Sequence, residues 1–305
     1  MSGQAERCER ERRPPLQRPE SRRIPLPQRG VEIALLDWGG DGPLVLMHHA
    51  NGFCAGALGL VAEALVPRFR VIGMDARGHG DSSRPEGPDA YRWDAFAEDL
   101  LAVAEALAPE HGGRVAVGLG HSFGGTSVLG AAARHPDLFE RLVLVDPVIP
   151  PPPAWGASVD AARQERLIRL IEGAQKRRAL WPSRAEARAH FAERSLFQHW
   201  LPAALELYLE YGLRERPDGQ LELKCPGAVE AAIFGASGAL DVAALVRRVT
   251  VPTTVLWATH GDFPRVVYER VFSAMPSARI VDADAGHLIP MEAPELVVRE
   301  VLGTS

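Results

Sequence analysis

Residues 115–125 read VAVGLGHSFGG, and within them Ser122 is flanked by glycines in Gly120-His121-Ser122-Phe123-Gly124. A serine hydroxyl is a poor nucleophile at neutral pH and acts as one only where a neighbouring base takes its proton. Val115 to Leu119 is a short apolar run, too brief for a helix and β-branched enough for a buried strand. Thr126 to Arg134 (TSVLGAAAR) has a helix-forming composition. Strand, sharp turn and helix, with glycines where a Cβ would strike neighbouring backbone, lift the Ser122 hydroxyl above a sheet. The same turn aims the Phe123 N–H at the place where an oxyanion would form. The pentapeptide alone also suits a glycine-rich turn that merely caps a strand, so its meaning depends on the elements around it.

Those elements alternate. Val31 to Trp38 (VEIALLDW) reads as a strand, followed by Gly39 to Pro43 (GGDGP) as a hairpin turn. Leu44 to Met47 and Val71 to Met74 read as buried strands, with a helix over Val61 to Val66 between them. Tyr91 to Leu107 places Phe96, Leu100, Val103 and Leu107 on one helical face. Leu142 to Val145 is the next strand, and Asp146 follows it. Alternation of this kind implies βαβ units and a mostly parallel sheet covered on both faces. It breaks at the proline run from Pro147 to Pro153, which reads as an extended exit from the sheet.

From Trp155 to about Ala239 the pattern is helical: Asp160 to Arg177 is amphipathic, and Ser183-Arg184-Ala185-Glu186 is a capping box. Pro202 suits the first turn of a further helix, to Leu213. Trp155, Trp181, Trp200, Phe191, Phe197, Tyr208 and Tyr211 in this block suit a lid, most of them forming its small core and a few lining a pocket. The sheet pattern resumes at Thr253 to Trp257, with a helix over Val266 to Phe272, a strand at Ala278 to Val281, Ala285-Gly286-His287, and a closing helix near Pro294.

The division expected is therefore a disordered tail over 1–28, a core over 29–147 and 240–305, and a helical cap over 148–239, inserted after the sixth strand. The tail is rich in Arg, Glu, Pro and Gln and has few apolar side chains to offset its ordering entropy. At 305 residues the chain suffices for one large α/β domain with an insertion, or for two small domains. A net charge of −5, spread along the chain without a basic face, argues against nucleic acid as the main partner. Cys8, Cys54 and Cys225 are odd in number and far apart, which suggests neither a disulfide framework nor a zinc site and fits a reducing compartment. No apolar run approaches a membrane span, and the start MSGQAERCERERRPP lacks the apolar core of a secretory signal, so a cytoplasmic protein is expected.

Four landmarks occur in order: a strand running into His48-His49-Ala50-Asn51-Gly52-Phe53, then DARGHGDS (Asp75 to Ser82), GHSFGG (from Gly120), and AGHLIPMEAPE (from Ala285). Together they resemble the α/β-hydrolase superfamily, in its capped, esterase-like branch, over about Val31 to Leu302. The resemblance implies an α/β-hydrolase fold and catalytic residues in the order serine, acid, histidine. Ser122, Asp262 and His287 fit that order, with Asp146 as the alternative acid. Asp262 follows the strand after which the acid usually stands, although Ala258 replaces the glycine common there; Asp146-Pro147 also suits a turn that starts the lid. His287 lies in a glycine-flanked loop, and imidazole is the side chain suited by its chemistry to take the serine proton and return it to a leaving group. Aligning the His49 loop with the family's His-Gly loop makes the Asn51 N–H the second oxyanion donor beside that of Phe123. His121 is expected to point away, His49 and His79 to be structural, and Arg77 to pair locally with Asp81.

This machinery implies cleavage of a carboxylic ester of a small-molecule acyl substrate through an acyl-enzyme, without metal or cofactor. The same triad logic extends to a lactone, thioester, amide or carbon–carbon bond, or to acyl transfer, and the fold also serves ligand receptors. A serine where dehalogenases and epoxide hydrolases of this fold carry aspartate argues against both of those. Substrate identity and oligomeric state are not written in the chain.

Overall fold

The computed structural model describes residues 18–87, 89–150, 157–237 and 240–303, and of residues 157–163 only the backbone. In chain order the elements are β1 (Glu20–Leu26), β2 (Val31–Gly39), β3 (Leu44–His48), α1 (Gly59–Leu65), β4 (Arg70–Met74), α2 (Trp93–Leu107), β5 (Val117–His121), α3 (Phe123–Arg134) and β6 (Leu142–Val145). There follow α4 (Ala157–Gln175), β7 (Leu180–Trp181), α5 (Arg184–Ala192), α6 (Pro202–Tyr211), β8 (Leu213–Glu215), β9 (Leu221–Leu223), α7 (Gly227–Gly235) and α8 (Val242–Val246). The chain closes with β10 (Thr253–Ala258), α9 (Arg265–Phe272), β11 (Ala278–Ala283), α10 (Ile289–Glu292) and α11 (Pro294–Leu302).

One sheet runs β1-β2-β4-β3-β5-β6-β10-β11. The pairs from β4 to β11 are parallel, while β1 and β2 add an antiparallel edge. The uninterrupted apolar runs follow from burial on both faces. In β3, Leu44 and Leu46 enter the core beneath α2 and α3, and Val45 and Met47 enter the core beneath α1 and α11. β6 divides the same way, Leu142 and Leu144 against Val143 and Val145. Each such side chain withdrawn from water stabilises the fold by about 1.5–3 kcal/mol.

Three expectations need correction. The expected tail over 1–28 is not a tail from Glu20 onward: β1 pairs with β2 along its whole length, so an edge partner supplies the order its own composition does not; residues 1–17 lie outside those described. Gly39 to Pro43 turns the chain, but no hairpin results, because β4 lies between β2 and β3. The block after β6 is not purely helical, since β7, β9 and β8 form a small antiparallel sheet. Its β8–β9 turn, Arg216-Pro217-Asp218-Gly219, carries a Pro-Asp-Gly signal with Gly219 at φ 80°. Trp155 and the prolines beyond Pro150 lie outside the described residues. In the same block the Ser183 hydroxyl accepts from the Glu186 N–H, capping α5, and Pro202 opens α6. Trp181, Phe191, Phe197, Trp200 and Tyr208 form a buried cluster with Phe53 of the core. Among the described residues no helix is long and apolar enough to cross a membrane, and no group of three or more His, Cys, Asp or Glu could hold a metal ion.

Candidate active site

Ser122 sits between β5 and α3 with φ 55° and ψ −122°, a left-handed conformation that costs a residue with a Cβ on the order of 1–3 kcal/mol. The ladder enforces it: the Ser122 N–H still donates to the Val145 carbonyl at 2.8 Å, while α3 begins at the next residue. The flanking glycines are required by closeness. A Cβ on Gly120 would lie 2.4 Å from the Gly124 carbonyl, and one on Gly124 would lie 2.4 Å from that of His48. As the first helical residue, Phe123 has an N–H with no partner within the helix.

The hydroxyl of Ser122 donates to His287 Nε2 at 2.8 Å, and His287 Nδ1–H donates to Asp146 Oδ2 at 2.6 Å. Asp146 is also left-handed, at φ 40°, and its side chain is 1% exposed. Its second oxygen, Oδ1, faces two donors: the Ala258 N–H at 3.2 Å and the Tyr268 hydroxyl at 3.1 Å. The Tyr268 hydroxyl also lies 2.8 Å from the Pro147 carbonyl and gives its proton to one acceptor at a time. Burial first, then the Asp146 carboxylate, pushes the Tyr268 hydroxyl well above its ordinary value, so it stays a donor.

Asp262, expected beside His287, is not there. Its side chain is 72% exposed and ion-paired with Arg166 at 2.8 Å. Asp146 holds the position because β6 lies between β5, which carries Ser122, and β10, so the two strand ends adjoin. The end of β10, where the other acid was expected to begin its approach, instead donates the Ala258 N–H to Asp146.

The surrounding histidines hold loops. His121 does not simply point away: its Nε2–H donates to the His287 carbonyl at 2.8 Å, tying the β5 end to the loop after β11. Burial lowers His121 to about 3, with His287 adding to the effect, so it stays neutral. His49 accepts the Ala76 N–H at Nε2 (3.0 Å) and therefore carries its proton on Nδ1, donating to the Ala50 carbonyl at 2.7 Å. Burial lowers it to about 4. His79 accepts the Gly52 N–H at 3.0 Å and donates Nδ1–H to the Arg77 carbonyl. Arg77 pairs with Asp99 of α2 through two bonds of 2.6 and 2.7 Å, not with Asp81, whose partner is Lys224 at 2.6 Å.

The Asn51 loop meets the insertion directly. Asn51 Nδ2–H donates to the Glu230 carbonyl at 3.0 Å, and its backbone N–H has no acceptor among the described residues. Arg177 donates to the Glu230 carboxylate at 2.6 Å and to the Tyr208 hydroxyl at 2.8 Å, and that hydroxyl lies 3.4 Å from the Gly52 carbonyl. Gly52, at φ 81°, admits this contact because a Cβ there would lie 2.5 Å from the Glu230 carboxylate. Sequence reading missed this network: its members are separated by up to 179 positions and no local pattern joins them.

A cavity of about 1040 Å³ opens between core and insertion, lined by Ser122, His287 and Asn51 together with apolar side chains such as Trp93, Phe191 and Phe197. A hydroxyl bonded to an oriented imidazole at the edge of such a cavity can act as a nucleophile toward a carbonyl.

The fold is that of the α/β hydrolases: the family model described as the alpha/beta hydrolase fold matches residues 43–167. A 2-(acetamidomethylene)succinate hydrolase from Mesorhizobium japonicum is 35% identical over 107 residues, 35% of this chain and 36% of that protein. A bifunctional esterase/perhydrolase from Acinetobacter calcoaceticus is 37% identical over 128 residues, 40% of this chain and 43% of that one. The matches thus span well under half the length of these relatives. The crystal structure of E-2-(acetamidomethylene)succinate hydrolase superposes with a TM-score of 0.77 at 23% identity, covering 93% of this chain and 98% of that one. The chain therefore has the α/β-hydrolase fold, and the family match lies within residues 43–167.

Proposed function

We propose that this protein is a serine hydrolase of the capped, esterase-like kind, cleaving a carboxylic ester or a related acyl bond through an acyl-enzyme. The observation that carries the reading is the continuous chain from Ser122 Oγ to His287 (2.8 Å) to Asp146 (2.6 Å). As Oγ bonds to the substrate carbonyl carbon, its proton passes to His287 Nε2, and buried Asp146 stabilises the imidazolium that forms. The carbonyl oxygen takes the negative charge and is met by the N–H groups of Phe123 and Asn51, each donor lowering the barrier by about 3–4 kcal/mol. Collapse breaks the bond to the leaving group, which receives the His287 proton. Water then attacks the acyl-serine, giving a proton to Nε2; that proton returns to Ser122 as the acid product leaves.

The test is turnover of p-nitrophenyl acetate by wild type and by Ser122→Ala. Loss of about 10⁴- to 10⁶-fold in kcat supports the reading. Equal turnover by both, or none by wild type across a panel of esters of graded chain length, contradicts it and favours a ligand receptor on the same fold.

A further inference from the structure

The cavity is ringed by charge of the sign opposite to the protein's net charge of −5. Among its described lining residues are six cations, Arg166, Arg169, Lys176, Arg177, Arg178 and Arg194, against two carboxylates, Glu230 and Asp262. Both carboxylates are taken, Glu230 by Arg177 and Asp262 by Arg166. Arg169 and Lys176 pair with Glu165 and Glu172 one turn earlier on α4, in contacts more than half exposed on both sides.

That leaves Arg178 and Arg194. Arg178 donates Nε–H to the Leu180 carbonyl and lies 5.6 Å above the Trp181 ring; its nearest carboxylate, Glu186, is 3.9 Å away and itself exposed. Arg194, exposed on the same wall, has no side-chain partner among the described residues. His190 lines the same cavity, its ring 5.6 Å from that of Trp181. His190 is held below its ordinary value by partial burial first, then by Arg194 and Arg178, with Glu193 opposing and Arg177 adding to the repulsion. Arg194 and Arg178 thus both lie near enough to His190 to oppose its protonation. Arg178, only loosely paired with Glu186, and Arg194 both line the cavity that holds Ser122. Guanidinium forks match carboxylate and phosphate oxygens, and cations at a cleft draw anions toward it.

We propose that the cavity accepts an acyl substrate carrying an anionic group remote from its scissile carbonyl, with Arg178 and Arg194 as the groups that select it. This rests on the reading of the site as an acyl hydrolase. The guanidiniums act on capture and orientation, not on the bond that breaks, so their removal changes KM and its salt dependence more than kcat.

The test compares p-nitrophenyl hexanoate with the mono-p-nitrophenyl ester of adipic acid, which differ only in a terminal methyl or carboxylate. In the double variant Arg178→Glu, Arg194→Glu the ratio of kcat/KM, adipate over hexanoate, should fall about tenfold, the sum of two exposed ionic contacts. Added salt should lower the wild-type ratio. Competition by adipate and by inorganic phosphate distinguishes carboxylate from phosphate recognition. A ratio unchanged by the substitutions overturns the proposal. If wild type turns over neither ester, the hydrolase reading fails separately, and calorimetry of adipate with Ser122→Ala, with and without the two substitutions, still decides: binding that the substitutions do not weaken, or no binding, overturns the anion site.

Discussion

Replacing Asp146 by asparagine should disable the site without changing its shape. The position is 1% exposed and the two side chains are nearly isosteric. The consequence follows from the donors around the carboxylate. Oδ1 faces the Ala258 N–H and the Tyr268 hydroxyl, so an amide at this position must turn its oxygen toward them and its NH₂ toward His287. His287 Nδ1 must then accept, which moves the ring proton to Nε2, the nitrogen that faces Ser122 at 2.8 Å. In that tautomer the imidazole cannot take the serine proton. The expected loss in kcat is about 10⁴-fold, or about 5.5 kcal/mol in the barrier. Asp262→Asn removes only an exposed pair with Arg166, and kcat should stay within about twofold. Both variants are assayed on p-nitrophenyl acetate, with thermal melts as a control on folding. A larger loss at Asp262, or less than about tenfold at Asp146, would refute the reasoning.

Four further outcomes follow from the packing. Gly120→Ala should abolish turnover, because its Cβ would meet the Gly124 carbonyl and force the Ser122 turn open; near-normal turnover of a folded variant would contradict this. Arg177→Gln leaves the Glu230 carboxylate unpaired against Gly52 and should lower kcat roughly tenfold with a smaller change in KM, a split that steady-state kinetics reads directly. Asp99→Ala strands the buried guanidinium of Arg77 and should destabilise the fold by about 3–5 kcal/mol in denaturant melts. Mild acid should also unfold the protein. His48, His49 and His121 are pushed by burial to about 3, 4 and 3. Their folded values lie below the unfolded one, so stability is lost as pH falls below about 6.5, by roughly 2 kcal/mol each at pH 5. Buried His79 adds to this, while Asp75, raised by burial, opposes it at lower pH. A melting temperature constant between pH 7 and 5 would contradict the assignment.

What the sequence made legible was local. The elbow at Ser122, the buried strands, the Ser183 cap of α5 and the Pro202 start of α6 each rest on a few adjacent residues, and their signals are strong. The partner of His287 was less so, because Asp146 and Asp262 both follow strands and only the lateral order β5-β6-β10 shows which carboxylate adjoins Ser122. β1 escaped notice since an edge strand borrows its order from a neighbour: Ser21, Arg22 and Arg23 pair with β2 without a continuous apolar face of their own. β7, β8 and β9 are two or three residues long, too short for periodicity to register. The contacts of Arg177 and Glu230 with the Asn51 loop depend on how the insertion folds back, which no local pattern encodes.

The central claim is a covalent bond to one oxygen. Wild-type protein mixed with p-nitrophenyl acetate, quenched in acid within the first turnover and digested, should show a gain of one acetyl group on the peptide containing Ser122, absent from Ser122→Ala. Acetylation elsewhere in its place, or release of p-nitrophenol with Ser122 left unmodified, would contradict the account.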